Sequence, residues 1–81
     1  MASLAKTEDE IADRVSRFLK AELKRADVTY EELADRLKKH GLKNETRDSI
    51  AAKLKRGTFA ATFLLACLAA LEMEGIRLED L

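Results

Sequence analysis

The run "FAATFLLACLAAL", residues 59–71, carries no charged side chain over 13 positions. As a helix it would be roughly 20 Å long, whereas a bilayer core needs about 30 Å. The run is too short to span a membrane and too apolar to face water all round. A chain that carries it must place it at the centre of a small fold or share it with another surface. On a helical wheel Phe63, Leu64, Cys67, Leu68 and Leu71 cluster broadly. Ala66, Ala69 and Ala70 gather on another side, and Leu65 lies off the main face. A domain of 81 residues buries only about 60% of its extended-chain surface. Its own core is not expected to cover every side of such a helix. Phe63, Leu64, Leu65 and Leu68 are therefore the expected interface of a homodimer.

The rest of the chain reads as helix. Proline is absent, there are three glycines, and Ala, Leu, Lys, Glu and Arg dominate; all five are good helix formers. The fold class is all-α. Thr7 with Glu10, and Thr29 with Glu32, have the spacing of capping boxes. Ile11, Val15, Phe18, Leu19 and Leu23 then recur at helical spacing, which predicts a first helix over Glu8 to Ala26. Leu33, Ala34 and Leu37 predict a second over Tyr30 to His40, with Gly41 past its end and Leu42 making the apolar contact that follows a glycine cap. "LKNETR" reads as a turn in which Asn44 or Thr46 caps a third helix. That helix is lined by Ile50, Ala51 and Leu54 and stopped by Gly57. Thr58 is expected to cap a fourth, running through the apolar segment to Gly75, and "IRLEDL" to close the chain as a short turn. Residues 1–6 are expected to be flexible and 7–81 to form one domain.

Several functions are disfavoured at this level. A single cysteine, Cys67, allows no intrachain disulfide; within an apolar run it is expected in the core. The N-terminal "MASLAKTEDE" has no apolar signal core, so a cytoplasmic location is expected, with no membrane association. One histidine, His40, is expected to bond carbonyls at the end of the second helix. It has no nucleophile beside it in any local catalytic signature. There is no Gly-rich phosphate loop and no metal-ligand motif. An enzyme is not expected, nor a metal or cofactor. Glu31 and Glu32 read as helix-start charges that favour the dipole.

The formal charge is zero, yet its distribution is uneven. Residues 1–35 hold 6 basic and 9 acidic side chains, a net of −3; residues 36–58 hold 8 and 2, a net of +6; residues 59–81 hold 1 and 4, a net of −3. The positive charge is gathered in "TRDSIAAKLKRGTF" and the turn before it. Opposite Ile50, Ala51 and Leu54, the third helix places Ser49, Ala52, Lys53 and Arg56. Ala52 permits close approach, Ser49 can donate to a phosphate or base edge, and Lys53 and Arg56 can neutralise phosphates. Lys43 and Arg47 lie in or near the turn. Thr46 presents a hydroxyl at a helix N-terminus, where phosphate is attracted, and Asp48 favours that same terminus electrostatically.

"VTYEELADRL" resembles the second helix of the phage-repressor (Cro/C1-type, Xre-like) helix-turn-helix domains. "SIAAKLKRG" is similar to the end of their recognition helix, and "FLLACLAALEMEGIRLEDL" to the segment that follows. The likeness covers about Leu19 to Leu81. It is closer still to a small bacterial family described as a domain of unknown function, with the skeleton "VTYEELA…SI…KL.RG.F". The resemblance implies a compact four- to five-helix, lambda-repressor-like helix-turn-helix domain. It further implies a transcriptional regulator that binds duplex DNA as a homodimer on a palindromic site. Thr29 and Tyr30 then fall where the family has its second-helix cap and a contacting Gln; Arg47, Asp48, Ser49 and Lys53 fall in the recognition helix. Two departures stand out. "HGLKNETRD" lengthens the turn, and Tyr30 replaces the Gln. The expected nucleic-acid contacts are Tyr30, Lys43, Thr46, Arg47, Ser49, Lys53 and Arg56. The alternative is a protein-interaction module that keeps the scaffold and binds a partner through the apolar fourth helix.

Overall fold

A computed structural model describes residues 4–81, so the expectation of a flexible 1–6 falls in part outside the described residues. Four helices follow in order: α1 Glu8–Ala26, α2 Tyr30–Lys38, α3 Arg47–Arg56 and α4 Ala61–Ala70, with a 3-10 turn at Leu78–Asp80. No strand occurs among the described residues, and no helix there is long and apolar enough to cross a membrane. The fold is all-α, as the composition implies.

The helix starts follow the caps, with one difference. The Thr7 and Thr29 hydroxyls accept from the backbone N–H of Glu10 and Glu32, each at 3.1 Å. Neither glutamate closes its box. Glu10 accepts instead from the Lys6 N–H at 3.1 Å, and Glu32 turns to Arg36 at 3.2 Å. The reciprocal box forms at α3, where Thr46 and Ser49 cap one another.

The ends of α1 and α2 are closed with the help of residues in the left-handed region. At α1 this is Asp27, φ +58°, and the Val28 N–H returns to the Leu23 carbonyl at 2.9 Å. α2 ends at Lys38, two residues before its expected limit. Gly41, φ +91°, turns the chain so that the Leu42 N–H reaches the Leu37 carbonyl at 3.0 Å. Leu42 packs on the core as expected. His40 meets the Leu37 carbonyl through its backbone N–H, and the residue is otherwise exposed.

α4 departs from expectation at both ends. It starts at Ala61 behind Ala60, which offers no side-chain cap. Thr58 does not cap; its carbonyl accepts from Arg56 Nε at 3.3 Å. Phe59 stays outside the helix and packs edge-on to Phe63, ring centroids 5.0 Å apart at 64°. The helix ends at Ala70, well before Gly75, because Glu72 takes φ +60°. Its N–H bonds the Ala69 carbonyl at 3.0 Å and that of Met73 bonds Leu68 at 2.9 Å. This is a Schellman closure that folds Met73 back against the core.

Leu19, Leu33, Leu37, Ile50, Leu54 and Cys67 form the fully buried centre. α3 packs against α1 and α2, and α4 against α2. Ala66 and Ala70 are buried along with Phe63, Cys67 and Leu68. Their small side chains let α2 come close enough for Arg36 to donate to the Ala70 carbonyl at 3.1 Å. The four residues expected at a dimer face divide between core and surface. Phe63 and Leu68 belong to the chain's own core, Leu64 is half-buried, and Leu65 alone of the four remains exposed.

Two details lock α1 to the end of α3. The hydroxyl of Ser16, the one buried polar residue among those described, donates to the Leu54 carbonyl. Next to it α1 crosses Gly57, φ +75°, so closely that a Cβ there would lie 2.6 Å from the Ala12 carbonyl oxygen. Gly57 thus serves both as helix stop and as crossing point.

Candidate nucleic-acid interface

The turn from Lys39 to Thr46 runs between α2 and α3 and is tied down at its far end by Glu45. Both Glu45 carboxylate oxygens accept from Lys53 Nζ, at 2.9 and 2.8 Å. The Ser49 hydroxyl donates to Glu45 Oε1 at 2.7 Å and accepts from the Thr46 N–H at 2.8 Å. The Thr46 hydroxyl accepts from the Ser49 N–H at 3.1 Å. Lys53 Nζ also stands 5.3 Å from the Phe63 ring centroid. Side-chain exposure here is 14% for Glu45 and 26% for Lys53. Partial burial by itself would raise the Glu45 carboxyl pKa. Hydrogen bonds from Lys53 and Ser49, with the attraction of the Lys53 ammonium, outweigh it and hold the group below its ordinary value. Thr46, Ser49 and Lys53, three of the expected contacts, are therefore engaged within the chain. No pattern in the sequence singles out Glu45, because its position opposite Lys53 depends on the path of the long turn.

The other four remain open to solvent or half so. Tyr30 and Arg47, two of the expected contacts, stand side by side. With Thr29, Glu31 and Ala51 they line a hollow of about 560 Å³ beside the starts of α2 and α3. Arg47 approaches Asp48 at 3.8 Å, but both are largely exposed, a geometry worth little. Lys43 is exposed in the turn. Arg56 commits only its Nε to Thr58, so its outer nitrogens can still donate.

On the other flank of α3 the structure assembles a group that no local pattern announces. Lys55 and Arg56 share a hollow of about 430 Å³ with Arg17 and Lys20 of α1, alongside Asp9 and Asp13. Arg17 pairs with Asp13 at 3.0 Å. The close crossing at Gly57 brings these cations together across more than 30 residues of chain. Between the two hollows the outward side of α3 shows Asp48, Ala52, Lys55 and Arg56, all exposed. The small Ala52 leaves room for a flat surface to approach.

Other chemistry is quiet. Burial pushes the Cys67 thiol up to about 12, helped by the Glu45 charge and only partly offset by Lys53; it is a protonated, inert thiol at neutral pH. Among the described residues no group of three or more His, Cys, Asp or Glu converges as a metal site.

These features define a small helical domain with a basic rim around one short helix. Residues 11–76 match the model of a family described as Domain of unknown function (DUF6471), and the chain belongs to that family. The match runs from within α1 to Ile76 and stops before the last turn. No curated protein and no solved structure matches the chain.

Proposed function

We propose that this domain binds duplex DNA as a sequence-specific transcriptional regulator, acting as a homodimer. In this reading α2 and α3 form a helix-turn-helix of the phage-repressor kind with a lengthened turn. The observation that carries it is the placement of cations around the exposed side of α3: Arg47 and Lys43 at one end, and Lys55, Arg56, Arg17 and Lys20 at the other. Two basic flanks with a small residue between them suit a helix laid in a groove with a phosphate strand on either side. Lys55, Arg56, Arg17 and Lys20 are assigned to phosphates. Arg47 and Tyr30 stand at the helix starts, where a base edge or a phosphate is within reach.

Fluorescence anisotropy against random duplex DNA, repeated over a range of salt, tests this reading. Neutralising about four to six phosphates gives a slope of log K on log salt of roughly −4 to −5. Lys55→Ala and Arg56→Ala should each reduce that slope by about one. Absence of binding at low salt overturns the proposal. A second reading is favoured by one observation, the exposure of Leu65 in the middle of α4. If the domain binds a protein partner there, Leu65→Asp abolishes capture of that partner and the basic substitutions do not.

A further inference from the structure

Beside α3, the structure gives α1 a flank of unpaired cations. Ala12 and Ser16 of α1 meet Gly57 and Leu54 at the end of α3. A few residues past the other end of α1, Thr29 and Tyr30 share a hollow with Arg47 and Ala51 in the first half of α3. α1 therefore runs back along α3, from its last turn toward its first. Arg17 and Lys20 line the hollow at the crossing together with Lys55 and Arg56. Lys24 follows Lys20 by four residues in the same helix, so it stands on the same flank one turn further on. Lys20 and Lys24 are exposed, and neither has an ion-pair partner among the described residues. The acids at the crossing, Asp9 and Asp13, lie at the beginning of this flank, where Arg17 holds Asp13 at 3.0 Å. Between Arg17 and Ala26 the one acid is Glu22. It pairs with Arg25 at 3.0 Å, and both line the hollow on the other side of the helix.

Like charges one turn apart repel each other in the free chain, and no described carboxylate pairs with either lysine. A polyanion laid alongside α1 would relieve that repulsion. We infer that α1 is a second DNA-contacting element: Arg17, Lys20 and Lys24 follow one phosphate strand of the duplex whose groove receives α3. From Arg17 to Lys24 the helix rises roughly 10 Å, a length over which one strand presents about three phosphates. Contacts to phosphates carry no sequence information, so this strand adds affinity equally on every sequence. The inference rests on the DNA-binding reading above. It adds the strand that α1 follows, and Lys24, which the group at the crossing leaves out.

The test is the salt dependence of binding by the full chain to random duplex DNA, read by fluorescence anisotropy, with single substitutions in α1. Lys20→Ala and Lys24→Ala should each lower the slope of log K on log salt by about one, and Lys24→Arg should keep the slope of wild type. Arg25→Ala removes the same charge one residue further on, from the side facing away, and should leave the slope unchanged. All three side chains belong to exposed residues, so helical circular dichroism should be preserved in the variants. Wild-type binding whose slope ignores Lys20→Ala and Lys24→Ala overturns this inference and leaves the DNA-binding reading standing. Equal losses for Lys24→Ala and Arg25→Ala also overturn it, because the slope then reports net charge rather than contact. Absence of wild-type binding at low salt overturns both.

Discussion

Gly57→Ala should be among the most damaging single-methyl changes in this protein, and the structure divides its effect into two parts. The first is conformational. At φ +75° the left-handed region costs an L-residue about 1–2 kcal/mol. The second is steric. The new Cβ would lie 2.6 Å from the Ala12 carbonyl oxygen and 2.9 Å from the Ala12 carbonyl carbon, both backbone atoms of α1. Relief requires α1 to move away from the end of α3, which disturbs the Ser16–Leu54 bond and the packing beside it. Overpacking of this kind adds about 1–3 kcal/mol, for a total of roughly 2–5 kcal/mol. Gly41→Ala is the internal control: φ is +91° there, but nothing lies within 4 Å of the added methyl. It should show the conformational part alone. Urea denaturation followed by circular dichroism measures both variants. If Gly57→Ala and Gly41→Ala lose the same stability, the close crossing of α1 over α3 is wrong.

Three other substitutions test particular contacts. Glu45→Gln should lower stability at neutral pH. The carboxyl sits below its ordinary value of 4.5 in the fold, so its stabilisation is fully present above about pH 4.5 and fades as pH falls through the folded-state value. The gap between the urea midpoints of wild type and the Glu45→Gln variant should therefore shrink on acidification; a gap that is constant with pH would remove Lys53 and Ser49 as its cause. Ser16→Ala leaves the Leu54 carbonyl without its buried donor and should cost about 1–3 kcal/mol, read as a lower denaturation midpoint. Glu72→Gly relieves a left-handed glutamate at φ +60°, and after the entropy that glycine loses on folding should still gain roughly 0.5–1 kcal/mol, visible as a melting temperature raised by a few degrees.

Local signals are readable in the chain where a residue acts on its near neighbours. Thr7, Thr29 and Thr46 each cap the helix that follows, and the spacing of Leu19, Leu23, Leu33, Leu37, Ile50 and Leu54 picks out side chains that are buried. The ends of α4 are not readable in this way. Thr58 has a cap's chemistry, but the turn at Gly57 directs the chain so that Phe59 joins Phe63 before the helix begins. Gly75 is the better intrinsic stop, yet Glu72 accepts the left-handed strain because the closure brings Met73 onto the core. Tertiary gain outweighs local preference at that point. The basic rim follows the same rule. Arg47 and Tyr30 stand at the starts of neighbouring helices, and their meeting depends on how the long turn lays α3 against α2. The Arg17, Lys20, Lys55 and Arg56 group, and the capture of Lys53 by Glu45, depend on how distant segments cross.

The buried cysteine has a practical consequence for anyone who wants to watch this molecule work. Burial pushes the Cys67 thiol up to about 12, so it stays protonated at pH 8, and maleimides and iodoacetamides react with the thiolate. The native chain is in effect a cysteine-free background. A thiol introduced at Ala52, exposed at the midpoint of α3, would take a dye selectively while the core stays intact. The dye would then report from the face whose neighbours are in question.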